Sequence, residues 1–184
     1  MATKKAKAKD WYSIIAPKIF DNREIGRALV TEPEQLVGRK IAVGLLELMN
    51  NFNKFYVKFI FRIAKVEGTT AHTEFVGSEV LRDYISRMIL KRIRRIDTVQ
   101  NLETKDGRKV TVKGIAVVSK KVKSSIEKII RSQIKEALQR EVAEVTFDDF
   151  IMMLTTDEIK GKVLHESRKI YPVRNFEIRK TEVI

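Results

Sequence analysis

The sequence of 184 residues contains no cysteine, only two histidines and no apolar run long enough to cross a bilayer. Without cysteine, disulfides, thiolate zinc sites and cysteine nucleophiles are excluded. A membrane-spanning helix needs about 20 consecutive apolar residues, and the basic N-terminus lacks the apolar segment of a secretory signal. We therefore expect a soluble, cytoplasmic protein.

Motifs typical of enzymes are also missing. Neither a Gly-x-x-x-x-Gly-Lys phosphate loop nor a Gly-x-Gly-x-x-Gly turn occurs. His72-Thr73-Glu74 matches the first half of a zinc-deaminase motif, but the second half requires cysteines. His165 has no second histidine at metal-binding spacing. The paired carboxylates Asp148 and Asp149 lie where a helix is predicted to begin and would serve its first turn. The sequence thus predicts no catalytic residues, no metal and no cofactor.

What the sequence has in excess is positive charge. Lys and Arg number 37 against 24 acidic residues, which gives a net charge of +13 and a pI near 9.9. Hydrophobic residues make up 43% of the chain, enough for a core in one domain of this length. Such a balance favours a protein that binds a polyanion, above all a nucleic acid.

Alternating apolar residues predict a sheet. The clearest strand is 54–66, where Phe59 and Phe61 alternate with Lys58 and Arg62, and a turn at Gly68 leads into a second strand at 69–76. The remaining predicted strands are 11–15, 40–44, 96–104, 109–118 and 173–179. An Asp-Gly turn within 105–108 predicts a tight hairpin between two of them.

Helical periodicity follows the strands. Ser78 is predicted to cap a helix over 79–93, and Ser124 with Glu127 forms a capping box for a helix over 124–142. Thr146 and Thr155 are predicted to open two shorter helices before Pro172. The fold class is therefore α+β, with an antiparallel curved sheet or small β-barrel flanked by amphipathic helices. We expect a disordered basic arm at 1–9 and one domain at 10–184, sheet-rich over 10–120, helix-rich over 121–172 and ending in a strand at 173–180.

The cations are clustered, and the clusters are the predicted RNA-binding sites. Part of the group near Arg92 has a structural explanation, because cations favour a helix C-terminus. The lysines of the arm fit a solubilising tail as well as a contact to RNA. Trp11 can stack on an unpaired base, although it and Tyr12 also fit a protein core. The predicted RNA-binding residues are Lys4, Lys5, Lys7, Lys9, Trp11, Arg39, Arg92, Arg94, Arg95, Lys105, Arg108, Lys109, Lys120, Lys121 and Lys123.

A membrane surface is the competing partner for these charges, because the predicted helix near 79–95 is basic and amphipathic, as peripheral anchors are. The apolar side of this helix is also what a sheet needs for cover, so we predict that it is buried and that no membrane is bound. The charge changes sign over 141–166, which is rich in carboxylates and predicts an acidic surface away from the basic one.

Short motifs in order along the chain narrow the class. They are Lys9-Asp10-Trp11-Tyr12, Ala16-Pro17, Phe20, Ile25-Gly26, Leu29-Val30-Thr31, Leu36-x-Gly38-Arg39 with Val43, Phe75-x-Gly77, Arg82-Asp83, Lys105-Asp106-Gly107, Arg140-Glu141-Val142 and Ile170-Tyr171-Pro172. Together they resemble the S-one-e (S-three-A-e) family of small-subunit ribosomal proteins. The short tail and the short loop near Glu32 resemble the archaeal form.

The resemblance implies a function that charge alone does not. It implies a barrel-like core with helices and a structural role in the small ribosomal subunit, on the platform near the messenger exit, in support of translation. The implied partners are small-subunit ribosomal RNA, neighbouring ribosomal proteins and messenger RNA near the exit. Charge and composition by themselves leave a free-standing nucleic-acid-binding protein or RNA chaperone as the alternative.

Overall fold

The computed structural model describes residues 8–49, 51–91, 93–120 and 122–184. The predicted sites at Lys4, Lys5, Lys7, Arg92 and Lys121, and most of the predicted arm, lie outside the described residues. The chain divides into two compact units, one up to Val76 and one from Gly77 onward.

The first unit is a mixed sheet with little helix. Its elements are β1 (Asp10–Ile15), β2 (Glu24–Val30), β3 (Lys40–Gly44), α1 (Leu45–Met49), β4 (Val57–Glu67) and the first part of β5 (Thr70–Val80). The strand order is β2-β1-β5-β4-β3. β1 runs antiparallel to β2 but parallel to β5. This sheet is therefore mixed, whereas the sequence predicted an antiparallel one.

Alternation explains why β4 forms where it does. Phe59, Phe61 and Ile63 are fully buried, whereas Lys58 and Arg62 face solvent, as the period of two predicts. Phe59 and Phe61 each meet Phe75 of β5 edge-to-face, with ring centroids 5.2 and 6.2 Å apart. The strand begins three residues later than predicted, because Phe52–Lys54 is a 3-10 turn.

In its described residues, the second unit combines the end of β5 with three long strands and four helices. These are α2 (Arg82–Met88), β6 (Arg94–Glu103), β7 (Lys109–Val118), α3 (Ser124–Ala143), α4 (Phe147–Thr156), α5 (Glu158–Arg168) and β8 (Val173–Val183). The order β5-β8-β7-β6 is antiparallel throughout. The predicted α+β fold class is confirmed. Among the described strands neither unit closes into a barrel, so of the two predicted forms the open sheet with helices is the one present.

Helices α3 and α5 pack on one side of this sheet. α3 packs against β6 and α5, and α5 packs against β8. The predicted apolar stripe of α3 is buried through Ile130, Ile134 and Leu138. Between Thr98 of β6 and Phe176 of β8, β7 carries Gly114, because an added Cβ would lie 2.7 Å from Thr98 Oγ1 and 2.9 Å from the Phe176 ring.

Part of the opposite face is covered by α2, whose Tyr84 hydroxyl donates to Glu177 of β8, and Ile115 and Val117 of β7 are fully buried. The candidate binding residues lie on the rest of that face and at the two ends of the β6–β7 hairpin.

Three local predictions of helix boundaries are wrong. Ser78 does not cap a helix over 79–93, because it lies in β5, where its backbone N–H donates to Thr181 Oγ1 at 2.9 Å, and α2 has only seven residues. Ser124 lies inside α3 rather than capping it. Thr155 is buried within α4, and α5 begins after the left-handed residue Asp157.

The other predicted elements are present. Both predicted hairpins form, one through Gly68 and one through Gly107, and both glycines have a positive φ, at 58° and 75°. Thr146 caps α4 as predicted, accepting from the backbone N–H of Asp149. No sequence pattern predicted β2, which lacks a clean alternation of buried and exposed residues.

Candidate functional site

The hairpin between β6 and β7 ends in a cluster of exposed cations, Lys105, Arg108 and Lys109. The turn closes through a hydrogen bond from the Gly107 backbone N–H to Thr104 O at 2.9 Å. We call these three cations the hairpin tip. All three were predicted as RNA-binding residues.

Contacts to the α3–α4 connection hold the hairpin tip in place. The backbone N–H of Lys105 donates to Val145 O at 3.0 Å, and the carboxylate of Asp106 accepts from the backbone N–H of Phe147 at 2.8 Å. The guanidinium of Arg108 lies 4.6 Å from the centre of the Phe147 ring, within cation–π range. The tip is therefore fixed before any ligand arrives, which lowers the entropic cost of binding.

The other end of the same hairpin carries a second group of cations. Arg94 and Arg95 open β6 and pair with Val118 and Val117 at the end of β7, so they lie in a strand and not at the end of a long helix as predicted. Lys120 and Lys123, both exposed, follow directly after β7. We call Arg94, Arg95, Lys120 and Lys123 the base cluster. Since each strand has ten residues, the hairpin tip and the base cluster lie about 30 Å apart.

Ion pairs already engage two members of the base cluster. Arg94 makes a two-pronged hydrogen-bonded pair with Glu127 of α3, the second contact being 3.2 Å between Nη2 and Oε2. The hydrogen bond from Arg94 lowers the pKa of Glu127. Glu127 therefore anchors α3 to β6 instead of forming the predicted capping box. Arg95 pairs with Asp97 at 2.8 Å, and Lys120 and Lys123 have no acidic partner among the described residues.

The predicted sites in the first unit are separate from one another. Lys9 and Trp11 lie at the start of β1, and the Trp11 side chain is 63% exposed, whereas Tyr12 is buried. Trp11 is therefore available for stacking, and only Tyr12 fits the core interpretation. Arg39 is exposed just before β3. Since β5 and β4 lie between β1 and β3, the sheet does not bring Arg39 next to Trp11.

Sequence reasoning missed a further group of cations. On the sheet face opposite α3, an open groove with a volume of about 460 Å³ is lined by α2, the end of β5 and the strands β6, β7 and β8. Five of its residues are basic and one is acidic: Arg82, Arg95, Lys113, Arg179, Lys180 and Glu79. We call this the basic groove. Of its cations only Arg95 was predicted, because the others come together only through strand pairing.

One carboxylate pairs with two cations of the basic groove. Lys113 and Lys180 are directly opposite each other in the β7–β8 register. Glu182 accepts from both ammonium groups, each at 2.7 Å. The hydrogen bonds from Lys113 and Lys180 lower the pKa of Glu182 to about 2. Arg82 and Arg179 have no acidic partner among the described residues.

The candidate catalytic residues do not assemble into a site. His72 Nε2 lies 3.6 Å from a Glu67 carboxylate oxygen on the surface, and His165 is exposed on α5. Asp148 and Asp149 are in the first turn of α4, as predicted. Within the described part of the chain no group of three potential metal ligands occurs, and no described helix is long and apolar enough to cross a bilayer.

Comparison with known proteins gives one consistent result. A model of the Ribosomal S3Ae family matches residues 1–184. The small ribosomal subunit protein eS1 of Methanopyrus kandleri is 38% identical, over 100% of this chain and 89% of the relative. The protein of the same name from Methanobrevibacter smithii is 37% identical over 97% of this chain and 92% of the relative. That of Saccharolobus islandicus is 36% identical over 98% of this chain and 86% of the relative.

Proposed function

This chain belongs to the ribosomal S3Ae family in its archaeal form, and from this we propose that it is a structural constituent of the small ribosomal subunit that binds ribosomal RNA. The family is one of ribosomal proteins rather than enzymes, and its relatives are named for the small subunit. The proposal places the protein in the cytoplasmic ribosome, on the platform near the messenger exit, beside other ribosomal proteins and close to messenger RNA.

The observation that carries the RNA-binding part of the proposal is the fixed hairpin tip. Three cations are exposed on a turn whose backbone and Asp106 side chain are hydrogen-bonded to the α3–α4 connection. Cations on a protruding turn reach phosphates in RNA grooves that a flat sheet does not enter. Because neutralised phosphates release counterions, such contacts give an affinity that falls with salt. The base cluster adds Lys120 and Lys123 at the other end of the hairpin.

Replacing Lys105 and Lys109 tests this proposal directly. Each replaced lysine removes about one phosphate contact, so K105A/K109A should weaken binding to small-subunit ribosomal RNA about tenfold or more and reduce the salt slope by about 1.4 to 1.8. The matched control is K18A/K169A, which removes the same charge from two exposed lysines without side-chain partners among the described residues. The measurement is filter binding at several salt concentrations. Equal affinities for both double variants would remove the hairpin tip from the RNA interface.

Sedimentation of cell extract tests the ribosomal role itself. A constituent of the small subunit should travel with small subunits at moderate salt, because its contacts to RNA and neighbouring proteins act together. Recovery mainly in the free fraction at moderate salt would contradict that role and support a free-standing nucleic-acid-binding protein or chaperone. Crosslinking within the isolated subunits then tests the location on the platform.

A further inference from the structure

The basic groove brings like charges together on one surface. Lys113 and Lys180 are direct cross-strand partners, and like charges at such positions destabilise a sheet. Arg82, Arg95 and Arg179 add three more cations to the same surface. A fold that only needed a solvated face would not bring five cations together from four elements, so this surface is suited to an anionic ligand.

A β-bulge brings one of these cations into the groove. The register shifts between Lys113, which pairs with Lys180, and Gly114, which pairs with Ile178. Arg179 is therefore the extra residue of β8, and both Arg179 and Lys180 line the groove. In a regular strand, neighbouring residues point to opposite faces. Bulges re-aim side chains in this way next to functional sites.

The spacing of the cations fits a chain of phosphates better than one small anion. Lys113 and Lys180 are paired, whereas Arg95 pairs with Val117, four residues further along β7. The three cations therefore span about 16 Å, from two inter-strand spacings and a four-residue rise. Arg82 and Arg179 supply guanidinium forks, which match phosphate oxygens in a bidentate manner. The groove is open to solvent, so a polymer can pass along it. A polymer of regularly spaced phosphates is the ligand that can reach cations spread over this distance.

We propose that the basic groove binds the phosphate backbone of RNA, and that Glu182 holds Lys113 and Lys180 in place until phosphates take over these contacts. The inference rests on the proposed RNA-binding function and gives it a second, separate site. The Glu182 carboxylate contacts both ammonium groups, which fixes their positions and partly neutralises them. RNA binding at this site therefore competes with an internal ion pair.

The sharpest test is a gain of affinity, because misfolding does not produce one. E182Q removes the competing charge, so affinity for small-subunit ribosomal RNA should rise about two- to fivefold, the range expected from the strength of an exposed ion pair. The control E144Q removes the same charge from an exposed residue that makes no ion pair with Lys113 or Lys180. Unchanged affinity in a folded E182Q protein would contradict the competition by Glu182.

A loss variant tests the arginines. R82A/R179A should weaken RNA binding about tenfold or more and lower the salt slope by about 1.4 to 1.8, whereas K18A/K169A should show a smaller loss. If neither the wild type nor any variant binds the RNA, the proposed function fails and this inference with it. If the wild type binds and both groove variants match their controls, the groove inference alone is overturned.

Wild-type protein gives an independent measurement that does not depend on the folding of any variant. RNA should protect Lys113 and Lys180 from acetylation, as read by mass spectrometry, but leave Lys18 and Lys169 reactive. A short uridine oligonucleotide and poly-glutamate are the competing probes. Protection by the oligonucleotide supports the proposal, and stronger protection by poly-glutamate would assign the groove to an acidic protein instead.

Discussion

At the scale of single residues, the least exposed ion pair among the described residues of the second unit connects α5 to β8. Lys160 of α5 donates to the carboxylate of Glu177 in β8, and the hydroxyl of Tyr84 donates to the same oxygen at 3.1 Å. Burial raises the pKa of Glu177, while the hydrogen bonds from Lys160 and Tyr84 oppose the rise. Such a pair adds little net stability, but breaking it leaves a buried charge.

We expect K160M to lower the free energy of unfolding by about 3 kcal/mol, measured by urea denaturation at pH 7. K162M is the control on the same helix. The Lys162–Glu141 pair is more exposed, so its loss should cost less than about 1 kcal/mol. Adding E177Q to K160M should recover much of the loss, and a K160M/E177Q double variant no better than K160M would contradict this account.

The loss in free energy of unfolding caused by K160M should become smaller at low pH. Without Lys160, the folded-state pKa of Glu177 lies further above its unfolded value of about 4.3, since burial disfavours the carboxylate. The loss in free energy of unfolding caused by K160M is therefore largest at a pH above the folded-state pKa of Glu177. It becomes smaller as the pH falls through that pKa toward the unfolded-state pKa, because Glu177 is then protonated in both states. Urea denaturation at several pH values between 7 and 4.5 measures this trend.

At the scale of elements, sequence patterns predicted the elements that local interactions determine. They failed where pairing between distant strands determines the structure. The two hairpins were predictable because positive-φ glycines and alternation act within a few residues. The predicted helix over 79–93 is wrong, because Ser78 and Glu79 pair with Thr181 and Lys180 of β8, about 100 residues away. That pairing overrides a local capping signal and moves Arg94 and Arg95 from a helix end into β6.

The contact between the hairpin tip and α4 is the element-scale feature we expect to be measurable. D106A removes the acceptor for the Phe147 backbone N–H and should cost about 1 kcal/mol, as does the loss of a helix cap. D106N removes the same charge but keeps an oxygen acceptor, so it should remain close to wild type. Thermal unfolding of both variants checks this, and equal losses would show that charge and not the hydrogen bond matters. The D106A protein should also bind RNA more weakly than the D106N protein, because its tip is less fixed.

At the scale of the whole molecule, the surplus charge that indicates a polyanion also opposes folding. A net charge of +13 repels itself in the compact state. The acidic stretch offsets part of it locally, since Glu141 and Glu166 pair with Lys162 and Arg140 and connect α3 to α5. The prediction of an acidic surface there holds only in part, because these two carboxylates are already neutralised.

Salt should therefore stabilise the free protein while it weakens RNA binding. Between about 20 and 200 mM salt, screening relieves repulsion among the cations, and the melting temperature should rise by about 2–4 °C for each kcal/mol relieved. Differential scanning calorimetry measures this. A melting temperature that falls with salt would mean that attractive ion pairs outweigh the repulsion.

The basic groove could not be predicted from the sequence, because most of its cations are far apart along the chain. Charge runs in the sequence identified the hairpin tip and the loop after β7, where cations are neighbours along the chain. Arg82, Lys113 and Arg179 are neighbours only after β5, β8, β7 and β6 have paired. No periodicity reports which residues oppose one another across strands, because register depends on the whole sheet.

The β6–β7 hairpin carries cations at both ends and is paired along all ten positions of each strand. A fully paired hairpin that packs against α3 changes little in length, so it holds its two ends at a fixed distance. Two RNA segments bound at its ends would be kept about 30 Å apart, whatever the flexibility of the RNA between them. The hairpin would then set a distance in the assembled particle as well as an affinity.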